Sequence, residues 1–134
     1  MTAAAFHLRA DFAEIPGLAH WVAEQAPCFA MDERQLYAIQ LCLEEVVANL
    51  VMHAKPAAGT EVLITVLIEA APLRVTVEDD ALPFDLSALA PATAPASLEE
   101  AMPGGLGLRL VQGFSAWREY DRMEGQNRLV MGFA

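Results

Sequence analysis

The segment from Asp32 to His53 restricts the fold more than any other part of this sequence. Asp32 with Gln35 three positions later is the capping-box pattern that starts a helix. Behind it Leu36, Ile39, Leu43, Val46, Val47 and Leu50 recur at helical spacing and form one continuous apolar stripe. The helix is expected to run to about His53 and to stop at Pro56. Its other side is the unusual part. Where a surface helix carries Lys, Glu and Gln, this one has Ala38, Leu41, Cys42, Ala48 and Met52, with Glu45 and Asn49 set among them. A helix apolar on both sides has to be covered on both sides, so the rest of the chain must supply a layer for each.

The flanking segments provide candidates. Ala4 to Asp11 alternates well enough for a first strand, and a helical pattern follows from Ile15 to Ala26, ended by Pro27. Glu61 to Ala70 and Leu73 to Asp79 are rich in Val, Ile, Leu and Thr around Ala71-Pro72, which predicts an antiparallel hairpin. From Leu82 to Gly105 the composition turns to Pro, Ala, Ser and Glu, and Pro83, Pro91, Pro95 and Pro103 forbid a long regular element; a loop is expected, with one short helix near Ser97 to Ala101. A third helix fits Leu106 to Phe114. Strands are expected at Ala116 to Met123 and Arg128 to Phe133, around a turn Glu124-Gly125-Gln126-Asn127. The order β-α-α-β-β-loop-α-β-β lacks the strict alternation of a doubly wound fold and favours an α+β sandwich, helices on one face of a mostly antiparallel sheet.

With 134 residues, 55% of them apolar, the chain can bury a core without metals or disulfides, and one domain over 1–134 is expected. Cys28 and Cys42 lack metal-ligand or redox spacing and read as small buried apolar residues in a reducing compartment. No basic start precedes a long apolar stretch, and the apolar run Val62 to Ile68 is too short to span a bilayer, so a cytoplasmic, non-membrane setting is expected. Eight basic against 18 acidic residues, net −10, opposes non-specific attraction to nucleic acid. A phosphate ligand would have to be held by backbone N–H groups, a helix N-terminus or a divalent cation.

Three places can carry chemistry. Glu45 and Asn49 are one helical turn apart and project together, with His53 next in the row. Stranding such groups costs roughly 1–3 kcal/mol each, so they need partners. They serve either as helix-surface residues satisfied by a neighbouring loop, or as a pair in which the Asn49 amide oxygen coordinates a hard cation such as Mg²⁺ while Glu45 orients or deprotonates a hydroxyl or water. His53 alone reads as a packed or capping histidine. At the end of the second hairpin strand, alternation sends Asp79 and Asp80 to opposite faces, so only one can enter a cleft and accept from an exocyclic amine; the other reading is a solvated strand end that starts a turn. Finally, Pro103-Gly104-Gly105-Leu106-Gly107-Leu108 puts glycines at a helix N-terminus, where phosphate oxygens can approach backbone N–H groups and about half a positive charge. Leu110 stands where the dinucleotide pattern needs its third glycine, and the Lys-Ser/Thr of a P-loop is missing.

Taken together, the run Glu45-Val46-Val47-Ala48-Asn49-Leu50-Val51-Met52-His53-Ala54, then Asp79 to Pro83 followed by Phe84-Asp85, then Gly104-Gly105-Leu106-Gly107-Leu108, resembles the three nucleotide boxes of the GHKL ATPase superfamily. The length and the closing Gly125-Gln126-Asn127-Arg128-Leu129 segment are most similar to the bacterial anti-sigma factor serine/threonine kinases. The resemblance implies a Bergerat-type two-layer sandwich holding ATP and Mg²⁺ under a flexible lid at about 85–104. It implies phosphoryl transfer to an antagonist (STAS-like) protein, with a sigma factor or similar regulatory target as second partner and a possible homodimer. By motif, Glu45 would be the general base, Asn49 the Mg²⁺ ligand and Asp79 the reader of the adenine amine. His53, Ala81 and Pro83 would line the nucleotide, and Gly104, Gly105, Leu106, Gly107 and Leu108 would receive the phosphates. Two departures stand out: Ala81 replaces the glycine usual two residues after the aspartate, and Met102-Pro103 occupies the stretch where some members carry an arginine, leaving Lys55 and Arg109 as candidate substitutes. If position 81 needed φ > 0, alanine would cost roughly 1–2 kcal/mol there. The alternative function is a nucleotide-sensing module without phosphotransfer.

Overall fold

The computed structural model describes residues 3–85, 111 and 113–134. The elements in chain order are β1 (Ala3–Arg9), a 3-10 turn (Phe12–Glu14), α1 (Ile15–Gln25), α2 (Glu33–His53), β2 (Leu63–Glu69), β3 (Arg74–Asp79), β4 (Trp117–Met123) and β5 (Gln126–Gly132). The expected loop helix near 97–101, the glycine segment and most of the expected third helix lie outside the described residues. Val111, Gly113 and Phe114 are helical, as that expectation has them.

Five strands form one sheet in the order β1-β2-β3-β5-β4, with every neighbouring pair antiparallel. Strand alternation divides it cleanly. Ile64, Val66 and Ile68 of β2, Val75 and Val77 of β3, and Leu129 and Met131 of β5 are buried and pack with Leu18 and Val22 of α1 and with Ile39, Leu43, Val46, Val47 and Leu50 of α2. The opposite face carries charge, including the pairs Arg74–Glu69 at 3.2 Å and Arg128–Glu78 at 3.3 Å. This is the expected α+β two-layer sandwich, helices on one face of an antiparallel sheet.

The capping box forms as read: Asp32 Oδ1 accepts from Gln35 N at 2.7 Å, and Gln35 Oε1 accepts from Asp32 N at 3.0 Å. α2 is long and apolar enough to cross a membrane by length and composition, yet Ala38, Ile39, Cys42, Leu43 and Val46 to Leu50 are buried inside the domain, the pattern of a core helix. Cys42 and Ala48 confirm that the second side of α2 is covered. The expectation for the cysteines holds for one only. Cys42 is buried and free, while Cys28 lies in the turn after α1 and is exposed and free. Periodicity could not distinguish them, because Cys28 follows Pro27 outside any helical repeat.

The last turn is shorter than expected. Glu124 and Gly125 both take positive φ, 55° and 79°, the two-residue hairpin turn whose twist suits antiparallel strands. Gln126 and Asn127 therefore belong to β5 rather than to the turn, and Asn127 is drawn into the sheet beside Asp79.

Candidate functional site

The site is built where the ends of β3 and β5 face the C-terminal half of α2. Asp79 stands on the helix-facing side of β3, in register with Ile64 and Asn127, and is only 3% exposed. Asp80 turns the other way and accepts from Leu63 N at 2.8 Å, which spends it on fastening β2. The inward carboxylate is thus Asp79, as its residue-by-residue alternation demands. Val46, Leu50, Val77, Asp79, Phe84, Tyr120, Asn127 and Leu129 enclose a cavity of about 10 Å³, room for about one water. Admitting a flat bicyclic base requires these side chains to part. Larger depressions exist, such as one of about 470 Å³ on the open face of the sheet, but that one is lined by the paired Glu69, Arg74, Glu78 and Arg128.

The polar wiring around Asp79 is dense. Its Oδ1 accepts from Ala81 N at 3.1 Å and from Asn127 Nδ2 at 2.9 Å. Burial pushes the Asp79 carboxyl above its usual range, opposed by the hydrogen bonds from Asn127 and Ala81; Asp80 adds to the rise and Arg122 offsets it. Ala81 is fully buried in the core cluster, and the positive-φ residues other than glycine among the described residues are Ala30 and Glu124. The strain that alanine would suffer at a left-handed position therefore does not arise. Instead the turn is tied to the end of α2: Leu82 N donates to Lys55 O at 2.9 Å, and Pro56 pairs with Ala81. Pro83 is exposed on this turn, and His53 places its ring 6.2 Å from that of Phe84 at the mouth of the slot. The side chain of Lys55 is exposed; Arg109 lies outside the described residues.

On α2, Asn49 is 2% exposed, and its Nδ2 donates to the backbone carbonyl of Glu45 at 2.8 Å. That bond commits the nitrogen and leaves the amide oxygen as the group the side chain can offer, a hard donor suited to Mg²⁺. Among the described residues no group of three or more His, Cys, Asp or Glu side chains could hold a metal. Among the described residues a cation at Asn49 has no such cluster to join, and the phosphate oxygens and waters that accompany the Mg²⁺ of a nucleotide suit the remaining positions. Glu45 is half-buried one turn back, about 6 Å along the axis. The structure thus brings Glu45, Asn49, His53, Asp79, Ala81 and Pro83 to one end of the sandwich; Gly104, Gly105, Leu106, Gly107 and Leu108 lie outside the described residues.

Asn127 is the site residue that the sequence did not reveal. It falls within the expected 124–127 turn, whereas it is 2% exposed and touches Asp79, the 81–84 turn and two side chains of β4. The pair Glu124-Gly125, read as a complete two-residue turn, would have moved it into the strand.

The family model for a histidine kinase-like ATPase domain matches residues 8–133. The serine/threonine-protein kinase BtrW of Bordetella bronchiseptica is 30% identical over 114 residues, which cover 84% of this chain and 80% of that protein. Among solved structures, the histidine kinase domain of the blue-light activated histidine kinase EL346 from Erythrobacter litoralis superposes with a TM-score of 0.54 at 20% identity. That match covers 91% of this chain and 59% of the other, and at this identity it speaks for a shared fold.

Proposed function

Since the chain belongs to the histidine kinase-like ATPase domain family, we propose that it is an ATP-binding serine/threonine protein kinase that phosphorylates an antagonist protein in a partner-switching circuit. The observation that carries this reading is the buried, inward carboxylate at Asp79, which shares a slot walled by Leu129 with Val46 and Leu50 of α2, the helix that also bears Glu45 and Asn49. Apolar walls with one convergent acceptor suit a purine with an exocyclic amine. The similarity to BtrW, a serine/threonine-protein kinase, supports the same direction.

In this reading each side chain has one task. Asp79 accepts a hydrogen bond from the base amine, while Val46, Leu50 and Leu129 exclude water from its faces. The oxygen of Asn49 holds the cation beside the triphosphate. Bound Mg²⁺ supplies charge neutralisation along the phosphates, which a chain of net −10 needs. Glu45 takes the proton from the attacking serine or threonine hydroxyl as its oxygen bonds to the γ-phosphorus and the bond to the β-phosphate oxygen breaks. The glycines at 104, 105 and 107 receive the phosphates. A cytoplasmic setting supplies ATP and suits two free cysteines. A sigma factor or similar target as second partner, and a homodimer, complete the proposal.

One observation favours a second reading, a nucleotide sensor without phosphotransfer: Met102 and Pro103 stand where an arginine would stabilise the transferring phosphoryl group. Incubation with γ-labelled ATP, Mg²⁺ and candidate antagonist (STAS-like) proteins from the same organism separates the two. Label on the antagonist, lost with Glu45→Gln, supports the kinase. ATP binding without transfer supports the sensor and overturns the kinase.

A further inference from the structure

The side-chain amide of Asn127 makes more polar contacts than any one role in the sheet requires. Its Nδ2 donates to Asp79 Oδ1 at 2.9 Å and to Leu82 O at 2.9 Å. Its Oδ1 accepts from Tyr120 Oη at 2.7 Å, Arg122 Nη1 at 2.9 Å and Phe84 N at 3.2 Å. The amide orientation is dictated by these partners. Flipped, its oxygen would face the Asp79 carboxylate and its nitrogen would face the Tyr120, Arg122 and Phe84 donors. Both donors to Asp79 from Asn127 and Ala81 meet the same oxygen, Oδ1. That leaves Oδ2 as the acceptor for a ligand.

We infer that Asn127 is a positioning residue for base recognition: it occupies Oδ1 of Asp79, leaves Oδ2 for an exocyclic amine, and locks that side chain to the 81–84 turn. The inference rests on the nucleotide-binding reading above. A protonated Asp79 would present a donor where the amine needs an acceptor, so the ionised form is the one that reads adenine. Burial and the neighbouring Asp80 work against ionisation; the Asn127 and Ala81 donors and the Arg122 charge work for it. Among the described residues the charged and titratable groups around Asp79 are Asp80, the next residue after β3, and Arg122 and Tyr120 from β4. α2 presents the apolar Val46 and Leu50 to the slot, with Glu45 and His53 as their titratable neighbours. Asn127 is the buried neutral donor in this set, and Oδ1 of Asn127 gathers Arg122 toward the same carboxylate.

The test uses two readouts on wild type, Asn127→Ala and the nearly isosteric Asn127→Asp. In the ligand-free protein, the side-chain carboxyl ¹³C resonance of Asp79 is titrated; its midpoint moves up in Asn127→Ala and furthest in Asn127→Asp, where two carboxyls face each other. ATP affinity is measured one pH unit below the Asp79 midpoint found for Asn127→Ala and again well above it, and Asn127→Ala binds about tenfold more weakly at the lower pH, since each unit by which the carboxyl pKa exceeds the pH costs about tenfold. Asn127→Asp retains the packing shape and shows the steeper loss. An unmoved Asp79 midpoint, or an affinity loss equal at every pH, overturns the positioning role and leaves Asn127 a structural staple. A midpoint that moves in a wild-type background that binds no nucleotide overturns the nucleotide reading instead, and base recognition with it.

Discussion

Replacing Asp79 with asparagine separates what this carboxylate does for the fold from what it does for a ligand. Oδ1 accepts from Ala81 N at 3.1 Å and Asn127 Nδ2 at 2.9 Å, and an asparagine oxygen in the same place keeps both bonds. The substitution exchanges Oδ2 for an NH₂ group and removes a charge that is 3% exposed. Because burial holds the folded pKa above its ordinary value, the ionised side chain costs the native state stability above that pKa. The cost fades as pH falls through it. Asp79→Asn should therefore have a melting temperature equal to or above wild type at neutral pH, with the difference narrowing toward acid. Binding moves the other way. A hydrogen bond to a charged acceptor contributes about 1.5–3 kcal/mol, roughly 10–150-fold in Kd, and an amide NH₂ facing the base amine sets donor against donor, at the upper end of that range. Calorimetric unfolding and ATP titration on one preparation read both quantities. Unchanged ATP affinity would refute Asp79 as the base reader. A melting temperature lowered by about 3–5 °C, equivalent to about 1 kcal/mol, would refute the claim that its charge is held for function at the expense of the fold.

Other consequences follow from individual contacts. Asn49→Ala removes the amide oxygen offered to a cation, so ATP affinity should lose most of its dependence on Mg²⁺, measured by titration with and without the metal. Asp32→Ala deletes one half of an intact capping box far from the slot, and should cost about 1 kcal/mol in denaturant unfolding while leaving ATP affinity unchanged. Burial pushes the Cys42 thiol up to about 12, opposed by Arg118 and assisted by Glu45, so at pH 8 it stays protonated and enclosed. A thiol reagent should count one cysteine, the exposed Cys28, in the native protein and two after denaturation.

Much of this fold was legible because its elements obey local rules. The Asp32–Gln35 box fixes the start of α2, and the stripe from Leu36 to Leu50 fixes its buried face, so both survive tertiary packing unchanged. β2 and β3 were legible because Ile64, Val66, Ile68, Val75 and Val77 alternate toward one core. Strand alternation allowed only one of Asp79 and Asp80 to point inward, and the motif resemblance, with its spacing to Pro83, singled out Asp79, which is the buried one. β4 was harder to interpret: Trp-Arg-Glu-Tyr-Asp-Arg-Met is polar on both faces, and nothing in it marks Tyr120 and Arg122 as reaching inward to Asn127. That orientation comes from register with β5, a non-local fact. Asn127 itself was hidden by one turn read two residues too long. Charged residues along β4 have a separate use, since this strand is a sheet edge that Arg118, Glu119 and Asp121 protect from pairing with other chains.

Equilibrium binding of ATP to the wild-type chain, with and without Mg²⁺, tests the central claim most directly. The account predicts saturable binding below millimolar, tightened by Mg²⁺, displaced by ADP and not by GTP, whose base presents a carbonyl where Asp79 needs an amine. Absence of ATP and ADP binding at millimolar concentration, with the fold intact by circular dichroism, would contradict it.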